Sequence, residues 1–384
     1  MEDVLGLVRG RPSRLRKRIL KSNGIKSRHY ALNRNQESTF QNSELAARAA
    51  TNCLESSAID ARDIDFLAVG STQGDLPLPG MASMVQAELN IPACEIITTH
   101  GVCSCGMMAL KSAFTQVKLG EKRNALVCAS ELCSRLLKKS RYEAAAMDAL
   151  DFEAEFLRWM LSDGAGALLV QPTPRRGLSL RIDWIEILSY ASDFDLCMSC
   201  GTTEQRAWTR EPESTPLYAP ALMAGTVSSA RGQQTVLQSM RKAQSWQDYD
   251  TYALAEANGA LLIRQNLRIL DNIVKVGVES FLGLIQRGKI TPKEVDHLVC
   301  HYSSHHFKGK ILDLLELSGC MVPEERWFTN LYSKGNTGCA SMFIALDELL
   351  RSGNLKAGQT VLCMVPESGR FVTAFMRLTV VEGR

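Results

Sequence analysis

Short uninterrupted apolar runs stand out along this chain, Phe66-Leu67-Ala68-Val69 and Leu298-Val299-Cys300, each after a short acidic turn. Runs of this length suit strands covered on both faces, as in parallel sheets. From about Cys103 to Val117 the pattern changes. Apolar residues recur at 103, 107, 110, 114 and 117, with small residues between them and no proline. That spacing predicts a helix buried nearly all round.

The pattern occurs twice. Ile59-Asp60-Ala61-Arg62-Asp63-Ile64-Asp65-Phe66-Leu67 is echoed position for position by Ile290-Thr291-Pro292-Lys293-Glu294-Val295-Asp296-His297-Leu298. Ala109-Leu110, Lys118-Leu119-Gly120 and Leu126-Val127-Cys128 return as Ala345-Leu346, Arg351-Ser352-Gly353 and Val361-Leu362-Cys363. Each copy runs helix, turn, strand, long connection, second helix, second strand, which implies parallel strands with helical crossovers. The chain is therefore expected to be two fused α/β halves, residues 1–175 and 176–384. A stretch at about 191–250, rich in Ser, Thr, Pro, Gln and Arg, belongs to neither copy and reads as an insertion bordering the site between them.

Composition narrows the class. The chain has 384 residues, long enough to bury a large core, and a formal net charge of +3, too mild to argue for a nucleic-acid partner. No run of 18 apolar residues offers a membrane span, and the charged start lacks a signal-peptide hydrophobic region. Several of the twelve cysteines fall on expected buried elements, as free thiols do in a reducing compartment, so the expected location is the cytoplasm.

Candidate chemistry gathers at the seam between the halves. Cys103 opens the buried helix after Thr98-Thr99-His100-Gly101, where unpaired N–H groups and the positive end of the dipole favour a thiolate. Cys105, about 200° around the helix, is not expected to share that role. His301 closes the apolar strand of the second copy, and Asn336 precedes the helix that mirrors the Cys103 helix. Taken singly, a packed cysteine, a strand-end histidine and a capping asparagine are commonplace. Their coincidence on a duplicated frame points to nucleophilic chemistry.

At these residues the chain resembles the thiolase-fold condensing enzymes, most closely the ketoacyl-acyl carrier protein synthase III group. Gly24-Ile25 with Arg28-His29 looks like that family's Gly-Ile-x-x-Arg-His turn. Cys103 with Ala109-Leu110, Val117-Lys118 and Gly120 has the spacing of its nucleophile helix. Ser162-Asp163-Gly164-Ala165-Gly166-Ala167 matches its Gly-Asp-Gly-Ala-Gly-Ala strand. Gly335-Asn336-Thr337 with Ala340-Ser341, continued by Ala345-Leu346-Asp347-Glu348, matches its Gly-Asn-Thr-Ser-Ala-Ala-Ser loop. Within the group the chain is similar to the ketosynthases that form dialkylresorcinols and cyclohexanediones. The cues are Pro12-Ser13-Arg14, Asn23-Gly24-Ile25-Lys26-Ser27-Arg28, Phe156-Leu157-Arg158-Trp159-Met160-Leu161 and Pro366-Glu367-Ser368-Gly369-Arg370.

The resemblance implies a thiolase-like fold, duplicated βαβαβαββ halves in a five-layer αβαβα arrangement, and a Cys-His-Asn triad of Cys103, His301 and Asn336. It also implies an oxyanion hole from the backbone N–H groups of Cys103 and Gly369, and a homodimer formed through the nucleophile half. The expected reaction is Claisen-type condensation of acyl thioesters, carried by coenzyme A or acyl carrier protein, with no cofactor and no metal. It would serve fatty acid or polyketide-type biosynthesis. Residues 9–28, which include Arg11, Arg14, Arg16, Lys17, Arg18, Lys21 and Lys26, then read either as a solvated helix face or as a dock for coenzyme A phosphates or an acidic carrier protein.

The chain departs from the family pattern in three places. Cys300-His301-Tyr302-Ser303-Ser304 replaces Pro-His-Gln-Ala-Asn, and the glycine-rich loop near the C-terminus is reduced to Glu367-Ser368-Gly369-Arg370. Met1-Glu2-Asp3-Val4-Leu5-Gly6 already reads as the helix after the family's first strand, so that strand is expected to be missing, as a late-assigned start codon would explain. A β-ketoacyl donor would need a general base. Glu153, Glu155 and Glu367 are candidates, with solvated or structural carboxylates as the commoner alternative.

Other readings are a thiolase or acyl-transfer enzyme, disfavoured because no second Cys-x-Gly follows Asn336, and a non-catalytic partner subunit of a condensing heterodimer, disfavoured because all three triad residues are present. Cys197-Met198-Ser199-Cys200 is a weak zinc signal without a second pair, and His305-His306 is not expected to form an independent site.

Overall fold

The computed structural model describes residues 1–146, 150, 152–203 and 245–383; residues 204–244 of the expected insertion lie outside them. The front sheet holds β1 (Phe66–Ser71), β2 (Glu95–His100), β3 (Ala125–Glu131) and β4 (Gly164–Val170), in the order β2-β1-β3-β4. Sheet membership changes at β5 (Gly177–Ser189), which belongs to the rear sheet, while β6 (Met198–Ser199) and β7 (Arg264–Gln265) pair only with each other. The rear sheet is completed by β8 (His297–Cys300), β9 (Trp327–Phe328), β10 (Thr360–Glu367) and β11 (Val372–Gly383), in the order β5-β11-β10-β8-β9.

Both sheets are mixed in the same way. β1 runs parallel to β2 and β3, and β8 runs parallel to β9 and β10, while β4 and β11 pair antiparallel at the matching places. The rear sheet carries β5 along the outer edge of β11, and among the described residues the front sheet has no counterpart beside β4. A four-stranded front sheet against a five-stranded rear one is what a missing first strand produces.

The register corrects the sequence alignment of the two copies by one residue. Phe66 pairs with Ala125 and its counterpart His297 pairs with Val361, so Ala125, not Leu126, is the mate of Val361. β3 and most of β10 are buried along their length. An apolar run without alternation cannot fix its own register.

The Cys105–Lys118 and Ser341–Arg351 helices fill the space between the sheets. They share one core cluster with residues of β1, β3, β10 and β11, including Met107, Leu110, Phe343, Leu346, Val127 and Met376. The Asn42–Ser57 and Met81–Leu89 helices cover the outer face of the front sheet through Ala46, Ala50, Leu54 and Val85. The Asn272–Gln286 and His305–Leu317 helices cover the rear one through Val274, Phe281, Phe307 and Ile311. The result is five layers, αβαβα.

The central helices can pack only where one of them lacks a side chain. A Cβ on Gly106 would lie 2.7 Å from the Cys339 carbonyl oxygen and 3.0 Å from Ala129 Cβ. Gly106→Ala is therefore expected to destabilise the fold by about 1–3 kcal/mol, the usual cost of overpacking a filled core. Denaturant unfolding of the variant against the parent protein measures it.

Candidate active site

Cys103 lies one turn residue before the central helix, not on it. The helix begins at Cys105, and Ser104, its cap, has φ −88° and ψ −11°. The expected start at Cys103 was two residues early, because a turn of near-helical dihedrals carries the same apolar spacing. The free N–H groups expected to favour the thiolate are also partly spoken for. Glu367 Oε2 accepts from Val102 N at 3.1 Å, Ser104 N at 2.8 Å and Ser104 Oγ at 2.5 Å.

His301 follows β8, and its backbone N–H donates to Met364 O at 2.8 Å, which anchors the strand end to β10. Its side chain is buried and Nε2 has no hydrogen-bond partner. Asn336 is held by both of its neighbours in space. Its carbonyl accepts from Ser162 N at 2.8 Å, and its Oδ1 accepts from Gly338 N at 3.0 Å. The preceding Gly335 has φ 79°, and a Cβ there would lie 2.8 Å from Ser162 Cβ, so the turn requires glycine.

These three side chains line one cavity of about 1020 Å³, a volume that includes its open mouth. The rest of its wall is mainly apolar, with Leu136, Phe156, Met160, Ile263, Ile273 and Phe307 among the lining residues. Phe156 and Met160 belong to the segment that sequence comparison singled out. Pro366 and Ser368 reach the cavity, while Gly369 packs on the Cys103 turn: a Cβ on Gly369 would lie 2.9 Å from Val102 Cγ2. The Gly369 carbonyl accepts from Cys197 N at 3.0 Å and Met198 N at 3.2 Å.

One lining residue escaped sequence reasoning. Glu131 ends β3, is buried, and its Oε1 accepts from Thr72 Oγ1 at 2.6 Å and Cys339 N at 3.2 Å. A carboxylate closing an apolar strand next to the repeat seam was the available signal. The other acidic candidates lie elsewhere. Glu155, on the short Phe152–Phe156 helix, accepts from Ser13 Oγ at 2.5 Å; Glu153 shares that helix, and Glu367 is engaged by the backbone of the Cys103 turn.

Burial sets the protonation of the site. It pushes the Cys103 thiol well above its usual range, with Glu367 and Glu131 adding to the effect, and it lowers the His301 imidazole to about 4. Glu131 is raised to about 7 by burial, against hydrogen bonds from Thr72 and Cys339 that oppose the shift. At neutral pH the cavity therefore presents a thiol and an uncharged imidazole.

The remaining expectations fall outside this cavity. Cys197 is buried and Cys200 donates its thiol hydrogen to Leu261 O at 3.4 Å, while His305 Nδ1 meets Tyr332 OH at 2.7 Å. Among the described residues, the group with metal-ligand spacing is Cys105, Glu131 and Cys339, all buried. In the basic segment, Arg16 pairs with Glu2, and Arg28 donates to Ile25 O and Asn23 Oδ1. No helix of the described residues is long and apolar enough to cross a membrane.

The chain is similar to known proteins in part of its sequence and in its fold. The family described as 3-oxoacyl-[acyl-carrier-protein] synthase III, C terminal, matches residues 285–376. The β-ketoacyl-[acyl-carrier-protein] synthase III of Methylococcus capsulatus is 24% identical over 344 residues, which is 90% of this chain and 84% of that one. The fold is shared with 3-oxoacyl-[acyl-carrier-protein] synthase III from Aquifex aeolicus, with a TM-score of 0.65 and 20% identity over 95% of this chain and 91% of that one. It is shared too with a variant of OleA from Xanthomonas campestris bound to lauric acid and lauroyl-CoA, with a TM-score of 0.67 and 18% identity over 97% of this chain and 90% of that one.

The imidazole of His301 makes the fold sensitive to acid. Its value is 6.5 when exposed and about 4 when buried, so the unfolded chain binds the extra proton between these pH values. Stability is full above 6.5 and is lost as pH falls towards 4. Between pH 7 and pH 4.5 the parent protein should lose roughly 2–3 kcal/mol more than His301→Asn, read from denaturant unfolding of both at the two pH values.

Proposed function

We propose that the chain is a condensing enzyme of ketoacyl synthase III type, which joins two acyl thioesters through Cys103, His301 and Asn336. What supports this reading is the single cavity whose wall contains all three side chains. The Cys103 sulfur attacks an acyl thioester, and the acyl group passes to it as coenzyme A or carrier protein leaves. Neutral His301, whose Nε2 has no competing partner among the described residues, can take up the thiol proton and pass it to the departing thiolate, which restores the neutral imidazole. The oxygen that becomes negative in each tetrahedral step needs preorganised donors, a role assigned to the backbone N–H groups of Cys103 and Gly369.

In the second step a carbanion forms beside another thioester. His301 and Asn336 donate to its carbonyl oxygen without repelling the developing charge. A malonyl donor generates the carbanion by losing carbon dioxide. A β-ketoacyl donor, as in the ring-forming ketosynthases that the chain resembles, requires a base, and Glu131 is a carboxylate in the cavity wall. The apolar lining favours a chain of several methylenes as the first acyl group. No cofactor is required for either step.

The working form is proposed to be a cytoplasmic homodimer joined through the front half. β2 is open along its outer edge, with Ile96 38% exposed, and the twelve cysteines are free thiols, as suits a reducing compartment.

Intact-mass measurement after incubation with a panel of acyl-coenzyme A thioesters should show one acyl adduct, mapped to Cys103 and absent from Cys103→Ala. His301→Ala and Asn336→Ala are expected to lose condensation by about 100-fold or more. An adduct on another residue, or undiminished condensation by Cys103→Ala, rejects the assignment.

A further inference from the structure

Glu131 and Glu367 occupy equivalent places in the two halves. The ladders pair Phe66 with Ala125 and its counterpart His297 with Val361, so the strands run in step from those residues to Glu131 at the end of β3 and Glu367 at the end of β10. Each glutamate reaches across the seam to the start of the opposite central helix. Glu131 accepts from Cys339 N, at the turn before the Ser341–Arg351 helix, and Glu367 accepts from Ser104 N, at the turn before the Cys105–Lys118 helix. The two carboxylates form a reciprocal clasp.

The two grips differ in what lies inside them. The Glu367 side holds the residues on either side of Cys103, since one oxygen, Oε2, accepts from Val102 N, Ser104 N and Ser104 Oγ. One glycine leaves room for it: a Cβ on Gly369 would lie 3.2 Å from Oε1 and 2.9 Å from Val102 Cγ2, whereas one on Gly101 would meet Oε2 at an ordinary 3.5 Å. A carboxylate in this place satisfies donors at the helix start and also sets a negative charge beside the sulfur.

Resting on the reading of Cys103 as the nucleophile, we propose that Glu367 is a positioning residue that fixes the nucleophile turn from the opposite half and keeps the resting sulfur protonated. The titratable groups around that sulfur are Glu367 from β10, Glu131 from β3, Cys105 from the central helix, Cys133 after β3 and His301 after β8. Of the charged groups that oppose the thiolate, Glu367 acts most strongly, after burial itself. A thiol held in this way passes its proton to a base in the cavity when a thioester is attacked, and does not react beforehand with other electrophiles.

The test is the pH dependence of Cys103 alkylation by iodoacetamide, without any thioester, followed by peptide mass mapping with Cys103→Ala as the blank. Glu367→Gln keeps an acceptor oxygen and removes the charge, and should alkylate about tenfold faster at pH 7.5. Glu367→Ala removes both, so its kcat should fall about tenfold or more with KM little changed, and Gln should recover most of that loss. An unchanged alkylation profile in Glu367→Gln, or an unchanged kcat in Glu367→Ala, overturns the proposal. Should Glu367→Ala not fold, Ser104→Ala removes one of the three donors and should lower kcat with KM retained. A shifted profile in a protein inactive on every thioester still supports the clasp and instead counts against the condensing function.

Discussion

Two helix starts meet back to back at the centre of this molecule, and the missing side chain of Gly106 sets how near they come. A Cβ there would lie 2.7 Å from the Cys339 carbonyl oxygen, so the front helix meets the turn leading into the rear one at backbone contact. That approach shapes the buried faces of both, which are small or apolar: Cys105, Met107, Ala109, Leu110 and Ala113 in the first, Met342, Phe343, Ala345 and Leu346 in the second. It also decides where chemistry can occur. Cys103 and Asn336 sit in the turns leading into these helices, and β8 ends beside them, so three residues distant in sequence open on one cavity.

Enclosure of this kind has an electrostatic consequence. Three ionisable groups of the cavity wall are driven towards their uncharged forms: Cys103 upward, His301 down to about 4, Glu131 up to about 7. The common cause is loss of water around the charged state. A neutral thiol and a neutral imidazole suit an uncharged substrate such as a thioester. Charge then appears only during the reaction, where low polarity strengthens whatever donors face it.

Much of this arrangement could be read from residue order. The echo of Ile59 to Leu67 in Ile290 to Leu298 located β1 and β8, and the spacing from Cys103 to Val117 located a central helix. His301 and Asn336 were found because they end or precede elements of the repeat. Three things were not legible. The helix start lay two residues later, since turn and helix dihedrals merge at Ser104. The alignment of β3 with β10 was one residue out, since neither buried strand alternates. The roles of Glu131 and Glu367 depend on which strand ends face the opposite helix, a relation that only register and tertiary packing define. Corrected by that single residue, the repeat places the two glutamates in equivalent positions.

Duplication accounts for the clasp and also for its asymmetry. In a pair of equivalent halves, any group reaching across the seam is matched by one reaching back, as Glu131 and Glu367 do. The rear turn enclosed by Glu131 contains Cys339, whose sulfur donates to Gly70 O at 3.4 Å and is 1% exposed with the rest of its residue. The front turn enclosed by Glu367 contains Cys103, which lines the cavity. The same carboxylate grip therefore serves packing on one side and holds a cavity-lining sulfur on the other. The difference between them is access to the cavity: Cys103 forms part of its wall and Cys339 does not.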